Sequence, residues 1–296
     1  MLTLWLPHLE YGRRRGRLIS SGMASQLLMD DPKRAHHYKV EIALADRLRN
    51  SSRAERKHLY TSVYEELFRE VPYHSQLVSK SQETVKRAEL QKLFETLRPF
   101  LNHDTVYAEI GAGDCALTML VAPHVRKAYA IDVSETVTRG ASAPNLEVVI
   151  SDGISIPVKA TLIFSNQLME HLHPEDARDQ LANVFAALEP GGKYFCITPN
   201  RLNGPHDVSG GIDDVARGFH LREYTYRELA GLLRSAGFAR VQAFVRIRNF
   251  QTTLPLGVVT ALETIVGCLP RSLGWRVSNL PILRRVLGIQ LIATRR

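Results

Sequence analysis

Four polar residues of this sequence stand where short apolar runs end, positions from which side chains can bind a ligand. These residues are Glu109, Asp132, Asp152 and Asn166. The apolar runs alternate with helical patterns, which is typical of a parallel sheet covered by helices. Because parallel strands bring their carboxyl ends to one edge of a sheet, ligands bind at that edge. The sequence therefore predicts a ligand site built from these four residues.

The first of these runs continues into a glycine turn. Residues 106–120 read VYAEIGAGDCALTML, a pattern that predicts a strand, a tight turn at Gly111, Ala112 and Gly113, and the start of a helix. Glycine lets the backbone approach a ligand closely, and the first N–H groups of a helix favour electron-rich ligand atoms. A single G-x-G is a weak signal, since such turns also end strands for structural reasons alone. The acids that follow it strengthen the prediction.

The charges around the turn select among nucleotide cofactors. Asp132 follows the turn by about twenty residues, the spacing of an acid that accepts hydrogen bonds from a ribose diol. Cys115 occupies the place where dinucleotide sites prefer a third glycine, and Asp114 adds negative charge where a phosphate would sit. This disfavours a nicotinamide dinucleotide. It favours a sulfonium nucleoside without phosphate, whose ammonium group Glu109 would attract.

The adenine of such a nucleoside would lie beyond the third strand. Asp152 can accept a hydrogen bond from the adenine amino group, and the N–H groups of Gly153 and Ile154 can face the ring nitrogens. Nothing in the sequence marks a metal site, because its three cysteines are widely scattered and fit neither a zinc site nor a disulfide framework.

Five motifs occur in order over residues 100–248: EIGAG, AIDVS, ISDG, FSNQLMEHL and LEPGG. Together they resemble the class I S-adenosylmethionine-dependent methyltransferases, in particular the small-molecule group with an EHL-type motif after the fourth strand. The resemblance implies S-adenosylmethionine as cofactor. It implies that Glu109 and the two glycines contact the methionine moiety, Asp132 the ribose, Asp152 the adenine, and Asn166 the reactive end. The cofactor residues implied are Glu109, Gly111, Ala112, Gly113, Asp132, Val133, Asp152, Gly153 and Asn166.

The predicted fold is α/β, a three-layer doubly wound sheet of seven strands in the order 3-2-1-4-5-7-6. The resemblance implies this seven-stranded sheet and an antiparallel last strand. Residues 1–100 are predicted to form an N-terminal helical region, and residues 101–296 the cofactor-binding domain. Capping boxes at Ser52 with Glu55 and at Thr225 with Glu228 predict two helix starts.

A predicted helical insertion at residues 250–287 interrupts the domain before its last strand. Five apolar residues are predicted to form an apolar helical face: Val258, Leu262, Ile265, Val266 and Leu269. Trp275 and four arginines follow. Three interpretations remain open: a lid over a hydrophobic substrate, an interfacial helix on anionic lipid, and packing onto the sheet or a second subunit.

Three histidines are candidate bases for removing a proton from an acceptor: His171, His206 and His220. His171 lies in the EHL motif, where a structural hydrogen bond is the alternative role. His206 and His220 flank a long glycine-rich loop after the fifth strand, and such loops are often lids or binding elements. We predict that Gln167, His206 and His220 contact the substrate. The sequence does not assign a catalytic residue.

The predicted function is methyl transfer to a small-molecule or lipid-linked acceptor at oxygen. Enzymes that methylate the amino groups of nucleic acid bases carry Asn or Asp, two prolines and an aromatic residue after the fourth strand, whereas this chain has Ser165, Asn166, Gln167 and Leu168. Nucleic acid is therefore disfavoured as a partner. The alternatives are a cofactor-binding domain without turnover and an RNA methyltransferase.

Bulk properties set the remaining expectations. The net charge of +8 permits contact with anionic partners, although a solvated basic surface explains it equally. Unpaired cysteines and the absence of a signal-peptide pattern predict a cytoplasmic protein. No run reaches the roughly 20 apolar residues of a membrane span. Translation is expected to start at Met1 or at Met23, and the oligomeric state stays open.

Overall fold

The computed structural model describes residues 29–74, 83–247 and 250–296, and its centre is one mixed sheet. The order of the strands is β3-β2-β1-β4-β5-β8-β6-β7. Their bounds are β1 Val106–Ile110, β2 Lys127–Asp132, β3 Leu146–Ile150, β4 Ala160–Asn166, β5 Leu188–Thr198, β6 Arg240–Ile247, β7 Phe250–Pro255 and β8 Ile289–Thr294. The first five strands are parallel, and β8 is antiparallel to both β5 and β6. The predicted α/β class and strand order are confirmed, with one additional edge strand.

Helices cover both faces of the sheet. They are α1 Pro32–Asn50, α2 Arg53–Glu70, α3 Glu83–Leu97, α4 Ala116–Val121, α5 Glu135–Thr138, α6 Pro174–Ala187, α7 Tyr226–Ser235, α8 Leu256–Gly267, α9 Arg271–Ser278 and α10 Pro281–Leu287. Apolar side chains of α1, α2, α6 and α7 form one core with the sheet, and those of α3 and α4 form a second core. Both predicted capping boxes are present, at the starts of α2 and α7. None of the helices described is long and apolar enough to cross a membrane.

The prediction of a purely helical insertion at residues 250–287 is wrong at its beginning. Phe250–Pro255 form β7, which pairs antiparallel with β6 at the edge of the sheet. The stretch FQTTLP is rich in aromatic and β-branched residues, and Pro255 ends it at the position where α8 starts. The sheet therefore has eight strands instead of seven.

The five residues of the predicted apolar helical face differ in burial. Of the five predicted residues only Val266 is buried, whereas Val258 and Ile265 are among the most exposed apolar side chains. The buried residues are Leu256, Val259, Glu263 and Val266. Glu263 decides this orientation, because its carboxylate accepts hydrogen bonds from the N–H of Tyr226 at 2.7 Å and the side chain of Asn200 at 2.6 Å. A buried carboxylate must be satisfied, so the polar anchor outweighs the burial of two apolar side chains.

A buried ion pair fastens α2 to α6. The guanidinium of Arg56 donates to both oxygens of Asp176, at 2.6 and 3.0 Å, and both side chains are fully buried. Tyr60 also donates to Asp176, at 2.7 Å, and accepts from the N–H of His173. The N-terminal helices are thereby fixed next to the residues that follow β4.

We predict that Arg56→Met lowers the free energy of unfolding by about 3–5 kcal/mol, because it leaves the Asp176 carboxylate buried without its cation. The double variant Arg56→Met/Asp176→Leu should be more stable than the single variant, since it buries no unpaired charge. Urea unfolding at neutral pH measures both values. Equal losses in the two variants would contradict the assigned role of the pair.

Candidate functional site

The glycine turn after β1 is tied to the end of β2. The N–H groups of Gly111 and Ala112 donate to the carbonyl of Ile131, at 2.9 and 3.1 Å. The N–H of Gly113 donates to the Asp132 carboxylate at 2.8 Å, and the other oxygen of that carboxylate accepts the N–H of Ser134 at 3.0 Å. Asp132 therefore fixes the loops after β1 and β2 relative to each other.

Glycine is required in this turn for two reasons. Gly111 and Gly113 have positive φ angles of 71° and 56°, where side chains are disfavoured. A Cβ atom on Gly111 would also lie 3.2 Å from Leu168, which follows β4. Cys115, at the place of the expected third glycine, has a φ of 58° as well. The turn thus has positive φ at three alternate positions, 111, 113 and 115, and it lies against Leu168 after β4.

Glu109 is a buried acid among other acids. It is 2% exposed and accepts a hydrogen bond from the hydroxyl of Thr118. Burial, together with the nearby carboxylates of Asp114 and Asp132, raises the pKa of Glu109 to about 8. The site therefore favours a cation next to Glu109, since a positive charge would stabilise the ionised carboxylate.

The loop after β3 lies beside the loop after β2. Gly153 has a φ of 80°, and a Cβ atom placed on it would lie 3.1 Å from the side chain of Val133. Asp152 accepts the N–H groups of Ile154 at 3.0 Å and Ser155 at 2.6 Å, and these hydrogen bonds counter burial and lower its pKa. The N–H of Ile154 is thus already used within the loop, which differs from the expectation that it faces an adenine.

The end of β4 contains a strained residue. Asn166 is 7% exposed and ends the strand, and Gln167 follows with a φ of 53°. A positive φ is uncommon for a side chain of this size, and such strain clusters at functional sites. The N–H of Gln167 donates to the carbonyl of Ile197 on β5 at 2.8 Å, which holds the strained residue in place. Both predicted residues lie at the same edge as Glu109.

Two neighbouring residues of the EHL motif differ in their electrostatics. Glu170 is fully buried, accepts the hydroxyl of Thr198 at 2.8 Å, and has a pKa raised by burial to about 7. Its second oxygen has no hydrogen-bond partner among the described residues. His171 Nδ1 lies 3.1 Å from both the Phe219 carbonyl and the Tyr64 hydroxyl. Burial lowers the pKa of His171 well below its usual value, so its imidazole is neutral.

His206 and His220 meet at one carboxylate, Glu223. His220 Nδ1 lies 2.8 Å from Glu223, and the N–H of His206 donates to the same oxygen at 2.7 Å. The carboxylates of Glu223, Glu170 and Asp207 raise the pKa of His220 to about 9 against its burial. The rings of His220 and His171 are 4.9 Å apart. At neutral pH the imidazolium of His220 is therefore an ion-pair partner, and it cannot accept a proton.

Histidine and glutamate side chains form two groups. Within each group, the nitrogen and oxygen atoms that could bind a metal lie within 4.8 Å of one another. One is Glu170, His171 and His220, and the other is His37, Glu41 and His74. These residue types bind divalent transition metals. The sequence marks neither group, because the third member of each, His220 in the first and His74 in the second, lies far along the chain from the other two.

The structure brings every predicted site residue to the carboxyl edge of the sheet or to the loops that cover it. Sequence reasoning missed Glu170 and Glu223, the acids that define the electrostatics around the histidines. A signal for Glu223 existed, because His220 and Glu223 are three residues apart. The Glu41 carboxylate accepts a hydrogen bond from the N–H of Phe219 at 3.0 Å. These two residues are far apart in the chain, so the sequence gave no signal for this contact.

Comparison with known proteins places this geometry in a family. Residues 81–243, more than half of the chain, match the family model described as a methyltransferase domain. A protein of Mycolicibacterium smegmatis named "Probable S-adenosylmethionine-dependent methyltransferase" is 28% identical over 156 residues, 47% of this chain and 58% of that protein. A Mycobacterium tuberculosis protein named in the same way is 29% identical over 138 residues, 45% of this chain and 48% of the relative. The chain thus matches about half the length of these curated relatives.

Solved structures of methyltransferases are similar at lower identity. Human N-acetylserotonin methyltransferase in complex with S-adenosylmethionine has 15% identity and a TM-score of 0.49, with 92% of this chain and 70% of that chain covered. An S-adenosylmethionine-dependent methyltransferase of Aquifex aeolicus has 22% identity and a TM-score of 0.40, with 55% and 94% covered. From the family match and the strand-end geometry, the chain belongs to the methyltransferase domain family and, with it, to the class I S-adenosylmethionine-dependent methyltransferases.

Proposed function

We propose that this protein transfers the methyl group of S-adenosylmethionine to the hydroxyl oxygen of a small-molecule or lipid-linked acceptor. The observation that carries the proposal is the set of acids around a glycine turn at the ends of β1 and β2. Its members are Glu109 and Asp132, which are buried, and Asp114, which is exposed and pairs with Lys86. A cofactor with a cationic ammonium and sulfonium, and without phosphate, fits this charge pattern.

Each residue group has a part in holding that cofactor. Glu109 would pair with the ammonium group, and Asp132 would accept hydrogen bonds from the ribose while keeping the turn in place. Asp152, Gly153 and Val133 lie beside one another, at the position expected for adenine. When bound, the cofactor supplies an electrophilic methyl carbon, and the protein must hold the acceptor oxygen about 3–3.5 Å from it.

We predict that cofactor binding is linked to ionisation of Glu109. The pKa of Glu109 is about 8 in the empty site, so the carboxyl is mostly protonated at pH 6–7.5. A bound cation lowers this pKa, which releases a proton, and affinity should therefore rise by up to about tenfold per pH unit in this window. Calorimetric titration with S-adenosylmethionine at several pH values, in buffers of different ionisation enthalpy, measures both the affinity and the proton release.

Glu109→Gln is the matched variant for this titration. It has nearly the same shape, still accepts from Thr118, and cannot ionise. We expect Glu109→Gln to bind the cofactor more weakly at pH 7.5. It should also release fewer protons on binding than the unmodified protein, because glutamine cannot ionise. The cofactor's own amino group titrates equally in both experiments, so it cancels. An unchanged pH slope in Glu109→Gln would contradict the pairing.

A hydroxyl acceptor must also lose its proton. Among the three candidate histidines, His220 is held as an imidazolium by Glu223, whereas His171 is neutral. When His171 Nδ1–H donates to the Phe219 carbonyl, Nε2 becomes the ring atom that can accept a proton. With an acceptor hydroxyl held beside His171, Nε2 would take the hydroxyl proton as the acceptor oxygen is methylated. This makes His171 the proposed general base.

We predict that His171→Asn lowers kcat by about 10²–10⁴-fold while leaving cofactor affinity within about twofold. Asparagine keeps a donor near the position of Nδ1–H and therefore the bond to Phe219, but it has no atom at the position of Nε2. Transfer of labelled methyl to the acceptor, and calorimetry with the cofactor, measure the two quantities. Full activity in this variant would rule out His171 as the base.

The two alternative functions are distinguished by the same labelled cofactor. Incubation with a cell extract should label an extractable metabolite or lipid, and nuclease treatment should leave that label unchanged. Loss of the label after ribonuclease treatment would favour an RNA acceptor. Tight cofactor binding with no labelled product from any extract would favour a binding domain without turnover.

A further inference from the structure

Exposed apolar side chains concentrate in the segment before the last strand. Nine large apolar residues are exposed in the part of the chain that the structure describes, and seven of them lie within residues 250–282. They are Phe250, Val258, Ile265, Leu273, Trp275, Leu280 and Ile282. Phe250, Ile265 and Ile282 are each about two thirds exposed, at 67%, 65% and 64%. Single exposed apolar residues need no explanation, but this concentration on one segment does.

The exposed face of α8 is unlike that of an ordinary surface helix. Its exposed residues are Gly257, Val258, Ala261, Thr264, Ile265 and Gly267, none of which is charged. The single charged residue of the helix, Glu263, points inward and is 6% exposed. A helix facing water normally carries its charges outward. In α8 the one charge is buried, and the apolar side chains face out.

The helices beside it supply positive charge without negative charge. Helices α8, α9 and α10 pack against one another. The segment 250–287 contains four arginines, Arg271, Arg276, Arg284 and Arg285, all exposed, and Glu263 is its one acid. Arg271 pairs with Asp214, whereas no carboxylate lies within ion-pair distance of the other three among the described residues. The surface is therefore apolar and cationic.

This surface is attached to the loop that carries the candidate acceptor site. Asn200, at the end of β5, donates to Glu263 of α8 at 2.6 Å. Ser278 of α9 donates to the Leu202 carbonyl at 3.0 Å, and Asn279 lies 3.4 Å from the Asn203 carbonyl. The same loop continues to His206 and His220. A ligand held at the apolar surface would thus lie next to the loop that covers the methyl-transfer edge.

We infer that helices α8, α9 and α10 form a docking surface for an anionic membrane, from which the enzyme takes a lipid-linked acceptor. This inference rests on the proposed function for the choice of acceptor. Apolar side chains and Trp275 would enter the headgroup region while the arginines pair with lipid phosphates. A second copy of the chain fits less well, because a two-fold contact would place the same arginine-bearing face against itself. Anionic lipid is complementary in both charge and polarity.

Vesicle flotation with the full-length protein tests the docking surface. We expect retention on vesicles of equal parts phosphatidylcholine and phosphatidylglycerol, and little retention on phosphatidylcholine alone. Retention should fall between about 0.1 M and about 1 M salt, because salt screens the arginines. Arg284→Glu/Arg285→Glu and, separately, Ile265→Ser/Trp275→Ser should each weaken binding by about tenfold or more.

The matched control is Arg178→Glu/Arg234→Glu. It makes the same change in net charge at two exposed arginines, on α6 and α7, outside the docking surface. We expect this control to bind vesicles within about threefold of the unmodified protein. An arginine contributes roughly 1 kcal/mol to binding only when it lies close to the anionic lipid, and these two arginines lie outside the docking surface. Equal loss in both charge variants would show that net charge alone drives retention, and it would overturn the inference.

Cofactor calorimetry on the same preparations separates this inference from the proposed function. If the protein binds S-adenosylmethionine but is not retained on any vesicle, the docking surface is overturned while the proposed function stands. Self-association in sedimentation velocity that Ile265→Ser/Trp275→Ser abolishes, without vesicle binding, would assign the surface to a second copy instead. Labelled methyl recovered in the organic extract of membranes, and reduced about tenfold by Arg284→Glu/Arg285→Glu, would support a lipid-linked acceptor.

Discussion

Carboxylates that accept backbone N–H groups hold together the whole carboxyl edge of this sheet. Asp132 joins the glycine turn to the loop after β2, and Asp207 accepts the N–H groups of Ser209 and Gly218 within the loop after β5. A carboxylate can accept several hydrogen bonds at once and strengthens each one by its charge. Loops without regular structure leave backbone groups unpaired, so anchors of this kind are needed wherever such loops are buried. The shape of the site follows from where these acids stand.

The same anchors give the edge an excess of buried negative charge. Glu170, Asp207 and Glu223 are all buried around His220, and each of the three raises its pKa. Burying so many acids is costly unless cations or protons neutralise them. Glu170 and Asp207 respond with raised pKa values of about 7 and 6.

The sequence predicted the elements better than it predicted their contacts. Strand ends and capping boxes are local, because apolar periodicity and spacing of three residues determine them. The orientation of α8 is not local: five apolar residues at helical spacing predict an apolar face but not which side of the helix packs on the core, because Glu263 meets Asn200 and Tyr226 only after the chain has folded. The pairing of β7 with β6 was missed for a similar reason, since a short polar strand at an edge has little periodicity. The candidate cofactor residues lie at strand ends and were therefore predictable, whereas Glu170 and Glu223, the acids beside the candidate histidines, were not.

The buried anchor of α8 explains how apolar side chains can stay exposed on this domain. If the exposed valine and isoleucine of α8 were free to turn inward, hydrophobic burial would favour that arrangement by a few kcal/mol. Rotation would remove Glu263 from its partners and leave a carboxylate and several donors unsatisfied in the interior, which costs at least as much. The polar contact therefore keeps Val258 and Ile265 outside. Since one of those partners, Asn200, begins the loop after β5, the position of the apolar face and the position of the candidate acceptor site are set by the same hydrogen bonds.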